Sequence, residues 1–112
     1  MRLAVIGSKE FTDYARLKEI LNSIDTVSEI ISGAAPGTDR MAASYAKECH
    51  LKLVEFPPDF DRYGKEAKLV RNRQIVENCD YLIAFWDGVC QSTKYTIDYA
   101  TASKIPVSII EV

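Results

Sequence analysis

The chain has 112 residues, 47% of them hydrophobic and 27% charged, which suits one domain spanning residues 1–112 with a core of its own. Its net charge of −2 argues against nucleic acid as a partner, because a broad nucleic-acid surface shows as a basic excess. Cys49, Cys79 and Cys90 include no C-x-x-C pair and His50 is the sole histidine, so the chain carries neither a disulfide framework nor a zinc ligand set.

The opening segment, MRLAVIGSKEF, holds too short an apolar run for a signal peptide or a membrane span, so a cytoplasmic protein without membrane association is expected. Leu3–Ile6 reads as a buried parallel strand ending in Gly7-Ser8. Thr12 or Asp13 can cap a helix whose apolar face is Leu17, Ile20, Leu21 and Ile24. Val27–Ile31 is a second strand. It runs into the small-residue loop Ser32-Gly33-Ala34-Ala35-Pro36-Gly37 and then a helix for which Thr38 is the expected N-cap. That helix places Met41, Ala42, Tyr45, Ala46 and Cys49 on one side.

Leu51–Phe56 is a third strand, closed by Pro57-Pro58, and Asp59–Gly64 reads as a loop. Lys65–Asn78 reads as a polar helix with Ala67, Val70 and Ile75 inward. Tyr81–Trp86 is a fourth strand ending in Asp87-Gly88. Ser92 or Thr93 caps the next helix, and Ile105–Ile110 is the last strand. Strands alternating with helices predict an α/β Rossmann-like three-layer sandwich around a five-stranded parallel sheet, with the order 3-2-1-4-5. Ligands of such sheets bind where the chain reverses direction across the sheet, outside the carboxyl ends of the strands. Three loops arrive there, Gly7-Ser8-Lys9, Ser32–Asp39 and Phe85–Thr93. A strand, a small-residue turn and a helix N-terminus make an anion site, with the first helical N–H groups as donors.

GS at Gly7-Ser8, SGAAPGTDRMA at Ser32–Ala42, PPDF at Pro57–Phe60, GKEAKLVRN at Gly64–Asn72 and IAFWDG at Ile83–Gly88 come in a characteristic order. In this the chain resembles the SLOG superfamily, in its small YspA/YpsA-like branch, over nearly its whole length. The resemblance implies a Rossmann-like domain binding a nucleotide or a nucleotide-derived ligand such as ADP-ribose or NAD. Relatives include DprA, which handles single-stranded DNA, and lysine-decarboxylase-like phosphoribohydrolases, which release a base from a nucleoside monophosphate. By position, Gly33 and Gly37 match the glycines of the family's small-residue loop, with Thr38 and Asp39 following. Arg71 and Asn72 match its Arg-Asn pair, and Asp87-Gly88 its second loop.

Two departures bear on chemistry. Ala34 stands where a second glycine is usual, and DGVCQST replaces a D-G-x-S-x-G-T pattern, with Cys90 and Ser92 in place of a serine and a glycine. The phosphoribohydrolases share P-G-G-x-G-T-x-x-E with a catalytic glutamate, whereas Thr93 here is followed by Lys94, Tyr95, Thr96 and Ile97. The resemblance therefore implies a binding module, with no catalytic residue and no resident cofactor or metal. N-glycosidic hydrolysis of a nucleotide is the alternative, and single-stranded DNA handling of the DprA type is the third reading.

Several residues carry two readings. Gly33 and Gly37 admit a ligand's close approach or merely turn the chain. Asp39 caps its own helix or accepts from a ribose hydroxyl. Arg71 grips phosphate or lies on a solvated face, and Asn72 contacts ligand or buttresses a loop. Trp86 packs in the core or stacks on a base, and Asp87 accepts from a ribose or shapes its turn. Ser8 donates to phosphate or closes the first turn; Phe60 and Tyr63 cover a base or pack their loop down. Cys90 precedes a helix N-terminus but has no histidine beside it, and Asp59 and Asp61 sit together on a Pro-rich loop. Tyr45, Tyr95 and Tyr99, on exposed helix faces, are compatible with a homodimer.

Overall fold

Strand β1 (Arg2–Gly7) is apolar on both faces, and the computed structural model, which describes Met1–Val112, places it at the centre of the sheet. On one side lie β2 (Glu29–Ser32) and then β3 (Lys52–Glu55); on the other lie β4 (Tyr81–Trp86) and then β5 (Val107–Glu111). All four pairings are parallel, so the order β3-β2-β1-β4-β5 is the expected Rossmann-like sheet. The connections hold α1 (Tyr14–Asn22), α2 (Thr38–Glu48), a four-residue α3 (Phe60–Tyr63) that passes through a 3-10 turn into α4 (Ala67–Glu77), and α5 (Gln91–Ala102). No helix is long and apolar enough to cross a membrane.

Side chains alternate across a strand, so β1 feeds two cores. Leu3 and Val5 join Ile30, Ile83 and Phe85 against Leu17 and Leu21 of α1 and Ala42, Tyr45 and Ala46 of α2. Ala4 and Ile6 join Ile31, Leu82 and Ala84 against Ile75 and Val76 of α4 and Ile97 and Ala100 of α5. This gives the three layers.

Local chemistry moves several expected boundaries. Asp13 caps α1, accepting from the Arg16 amide at 3.1 Å. Thr38 does not cap α2. Gly37 does, at φ 75°, and the fully buried Thr38 sends both its amide (3.3 Å) and its hydroxyl (2.8 Å) to the Ser8 carbonyl. The segment expected as a loop over Asp59–Gly64 instead winds one turn of helix, because Asp59 accepts from the Arg62 amide at 3.1 Å. Helix α5 starts at Gln91, ahead of both expected caps, with Cys90 at the N-cap position. Tyr45 is not on an exposed face: it is buried, with its hydroxyl donating to Asn22 Oδ1 at 2.7 Å.

A candidate ligand-binding cleft

The carboxyl ends of β1, β2 and β4 open into a cleft of about 560 Å3, at the point where chain direction reverses across the sheet. That volume lies within the range of small-molecule sites. From the first loop come Gly7 and Ser8, and from the second Gly33, Ala34 and Asp39. Arg71 and Asn72 come from α4, and Asp87, Ser92 and Thr93 from the segment after β4.

The second loop is built around a buried charge. Ser32, fully buried, donates to the Asp39 carbonyl and accepts from the Ala34 amide, both at 3.3 Å. The Asp39 carboxylate accepts from the Ala35 amide at 3.2 Å. Burial pushes this carboxyl up to about 6, against the Ala35 amide, the Arg71 charge and the Gly33 amide, which pull it down. Ala34 takes the left-handed φ of 62° that explains why glycine is usual there.

Arg71 is buried rather than solvated, at 7% exposure. Its Nη1 donates to the Gly33 carbonyl, and its Nε donates to Asn72 Oδ1 at 2.8 Å. Asn72 in turn donates to Ser92 Oγ at 3.0 Å, tying α4 to α5. Burial lowers Arg71 from the usual arginine value, with the Asp39 charge acting the other way, yet a guanidinium stays protonated. The four ion pairs all lie elsewhere, so no carboxylate neutralises Arg71 by contact. Its Nη2 has no protein partner, and every solvent-inaccessible side-chain nitrogen has one, so Nη2 is open to the cleft that Arg71 lines. Gly33 makes this possible: a Cβ there would stand 2.9 Å from both the Arg71 Cζ and Asp39 Oδ2.

The loop after β4 also satisfies its own donors. Asp87 Oδ1 accepts from the Val89 and Cys90 amides, both at 2.8 Å, and Oδ2 accepts from Ser8 Oγ at 3.3 Å. The Cys90 and Val89 amides, followed by the Ser8 hydroxyl, hold the exposed Asp87 carboxyl below its usual range, outweighing desolvation. The Asp39 and Asp87 carboxylates thus accept from the Ala35, Val89 and Cys90 amides, while the Ser8 carbonyl takes the Thr38 amide.

A family model described as the YspA, cpYpsA-related SLOG family matches residues 1–63. The chain belongs to that family. No curated protein sequence matches it. Among solved structures, it is similar to DNA processing protein A (DprA) from Streptococcus pneumoniae, with a TM-score of 0.84 and 17% identity over 99% of this chain and 50% of that one. It is also similar to DprA from Helicobacter pylori, with a TM-score of 0.69 and 20% identity over 97% of this chain and 64% of that one. The chain spans half the length of the first and less than two-thirds of the second. The Helicobacter pylori structure is described as revealing a single-stranded DNA binding mode. Net charge therefore does not exclude nucleic acid, contrary to expectation: this fold occurs in a DNA-binding protein, and a whole-chain charge does not report on one cleft.

Within this SLOG fold, five of the expected residues lie outside the cleft lining: Ser32, Gly37, Thr38, Trp86 and Gly88. The first three brace the loop from behind. Trp86 packs against the second core and donates from Nε1 to the Cys90 carbonyl at 3.0 Å, so it ties down the β4 loop. Gly88, at φ 83°, turns that loop. Tyr63 also stays outside the lining, with the Arg62 guanidinium over its ring, while Phe60 lines the cleft. Glu10, Lys68, Ile75, Val89 and Thr96, none of them among the expected site residues, line it too. Lys68, Arg71, Asn72 and Ile75 follow i, i+3, i+4, i+7 spacing on α4, a stripe that apolar periodicity misses because half of it is charged. No group of three His, Cys, Asp or Glu side chains could hold a metal ion.

Proposed function

We propose that this chain binds a nucleotide unit in the cleft, as a free nucleotide or within a nucleotide-derived molecule such as ADP-ribose or NAD. The observation that carries this reading is Arg71, a buried guanidinium with an unpartnered Nη2 open to the cleft at the switch point of the sheet. Lys9 and Lys68 add charge at the mouth, and Asp39, Asp87 and Glu10 offer acceptors for ribose hydroxyls. The domain at 1–112 acts in this reading as one binding unit. The fit with hydrolysis is poorer: Thr96 holds the register of the hydrolases' glutamate, and its hydroxyl donates to the Ser92 carbonyl at 2.9 Å. Single-stranded DNA is a second reading, supported by the likeness to the Helicobacter pylori protein.

Lys68→Glu tests the site, because Lys68 is exposed and lines the cleft. Titrations with AMP, ADP-ribose and short oligo(dT) at low salt are expected to detect binding that the variant weakens about tenfold, the size of one lost charge-assisted contact. Lys104→Glu, outside the cleft lining, should bind as wild type. Binding of oligo(dT) alone, falling steeply with salt, would select the DNA reading. No binding of any probe, or equal loss in both variants, would reject the site.

A further inference from the structure

We infer that the ligand lies phosphate-inward and base-outward, with its base stacked on Phe60 and Val89 as a second apolar contact. The inference rests on the nucleotide reading above and assigns the base a place. Four large hydrophobic residues are exposed in this protein: Phe60 at 55%, Val89 at 72%, Ile109 and Val112. Two of the four, Phe60 and Val89, line the cleft, on the segments that follow the carboxyl ends of β3 and β4. The other two lie on or just beyond the edge strand β5.

Neither exposure comes from slack chain. Phe60 follows Pro57-Pro58 and opens a helical turn closed by Asp59 on the Arg62 amide at 3.1 Å. Val89 sits in the turn that Asp87 locks through two 2.8 Å bonds. Holding an apolar side chain out on a hydrogen-bonded turn leaves an apolar surface formed in advance, and a ring face suits a flat heteroaromatic base. The buried end of the cleft holds the buried cation: Arg71 lies there with Ser8, Asp39, Asn72, Thr93 and Thr96, beside Ile6 and Ile75. A base driven into that end would leave the Arg71 guanidinium without an anion, whereas a phosphate satisfies it.

The test is an NMR-monitored titration with AMP and with ribose 5-phosphate, on wild type, Phe60→Ala and Phe60→Trp. Phe60→Ala should weaken AMP about tenfold, within the range of one lost base–aromatic stack, and leave ribose 5-phosphate at wild-type affinity. Phe60→Trp should keep AMP binding. AMP affinity unchanged in Phe60→Ala, or equal loss for both ligands, would overturn the orientation while leaving the cleft reading intact. A changed oligomeric state with unchanged AMP affinity would assign the rim to contact between copies and also overturn it. Failure of both ligands to bind wild type would remove the nucleotide reading itself.

Discussion

Gly37→Ala is expected to destabilise the protein by on the order of 3–5 kcal/mol, combining backbone strain with overpacking. Gly37 has φ 75° and ψ −122°, a region that residues with a Cβ rarely enter. A Cβ there would stand 2.6 Å from the Lys9 Cα, with the Lys9 carbonyl nearer still. Backbone, not a flexible side chain, is in the way, so the β1 loop and the start of α2 must part. Gly64→Ala separates the two effects. Gly64 has nearly the same backbone, φ 55° and ψ −126°, but nothing within 4 Å of an added Cβ. It should cost only about 1–2 kcal/mol, from strain alone. Denaturant midpoints for both variants check this, and equal losses would mean that the close approach to Lys9 contributes nothing.

Asp39→Asn is expected to stabilise the protein near neutral pH. Burial raises the Asp39 carboxyl to about 6 from an ordinary 3.8, so the folded state binds the proton more tightly than the unfolded chain does. Its contribution to stability is complete below about pH 4 and is lost as pH rises through about 6, a fall of about 3 kcal/mol. Asparagine keeps an acceptor for the Ala35 amide and never ionises. The variant should therefore match wild type near pH 4 and exceed it by up to about 3 kcal/mol near pH 7. Urea unfolding across that range reads the difference directly, and a constant gap would show that Asp39 does not titrate in the folded state.

The sheet was legible because its signal is redundant. Five apolar runs at α/β spacing, each followed by a turn or helix-start signal, leave few topologies, and the β3-β2-β1-β4-β5 order follows from them. Ten of the expected site residues line one cleft, because they lie on loops or on the α4 stripe that topology sends to one edge. What stayed hidden had weaker or mixed signals. Helix α3 has four residues, too few for a period, and forms on the strength of one aspartate cap. Lys68 and Ile75 share a helix face with Arg71 and Asn72, and a face that is both charged and apolar reads as neither core nor surface. Thr38 looked like a cap by residue type. Tertiary contact with the Ser8 carbonyl took its hydroxyl instead. A sequence also shows which loop amides exist but not that Asp39 accepts from Ala35 and Asp87 from Val89 and Cys90.

The most direct measurement of the central claim is a map of amide chemical-shift changes as AMP, ADP-ribose or short oligo(dT) is added to the whole chain. A nucleotide seated at the switch point predicts the largest changes at Gly7–Glu10, Gly33–Ala35, Arg71–Asn72 and Val89–Thr93, with α1 and the far end of β5 unmoved. Changes centred on any other surface, or none at millimolar ligand, would contradict it.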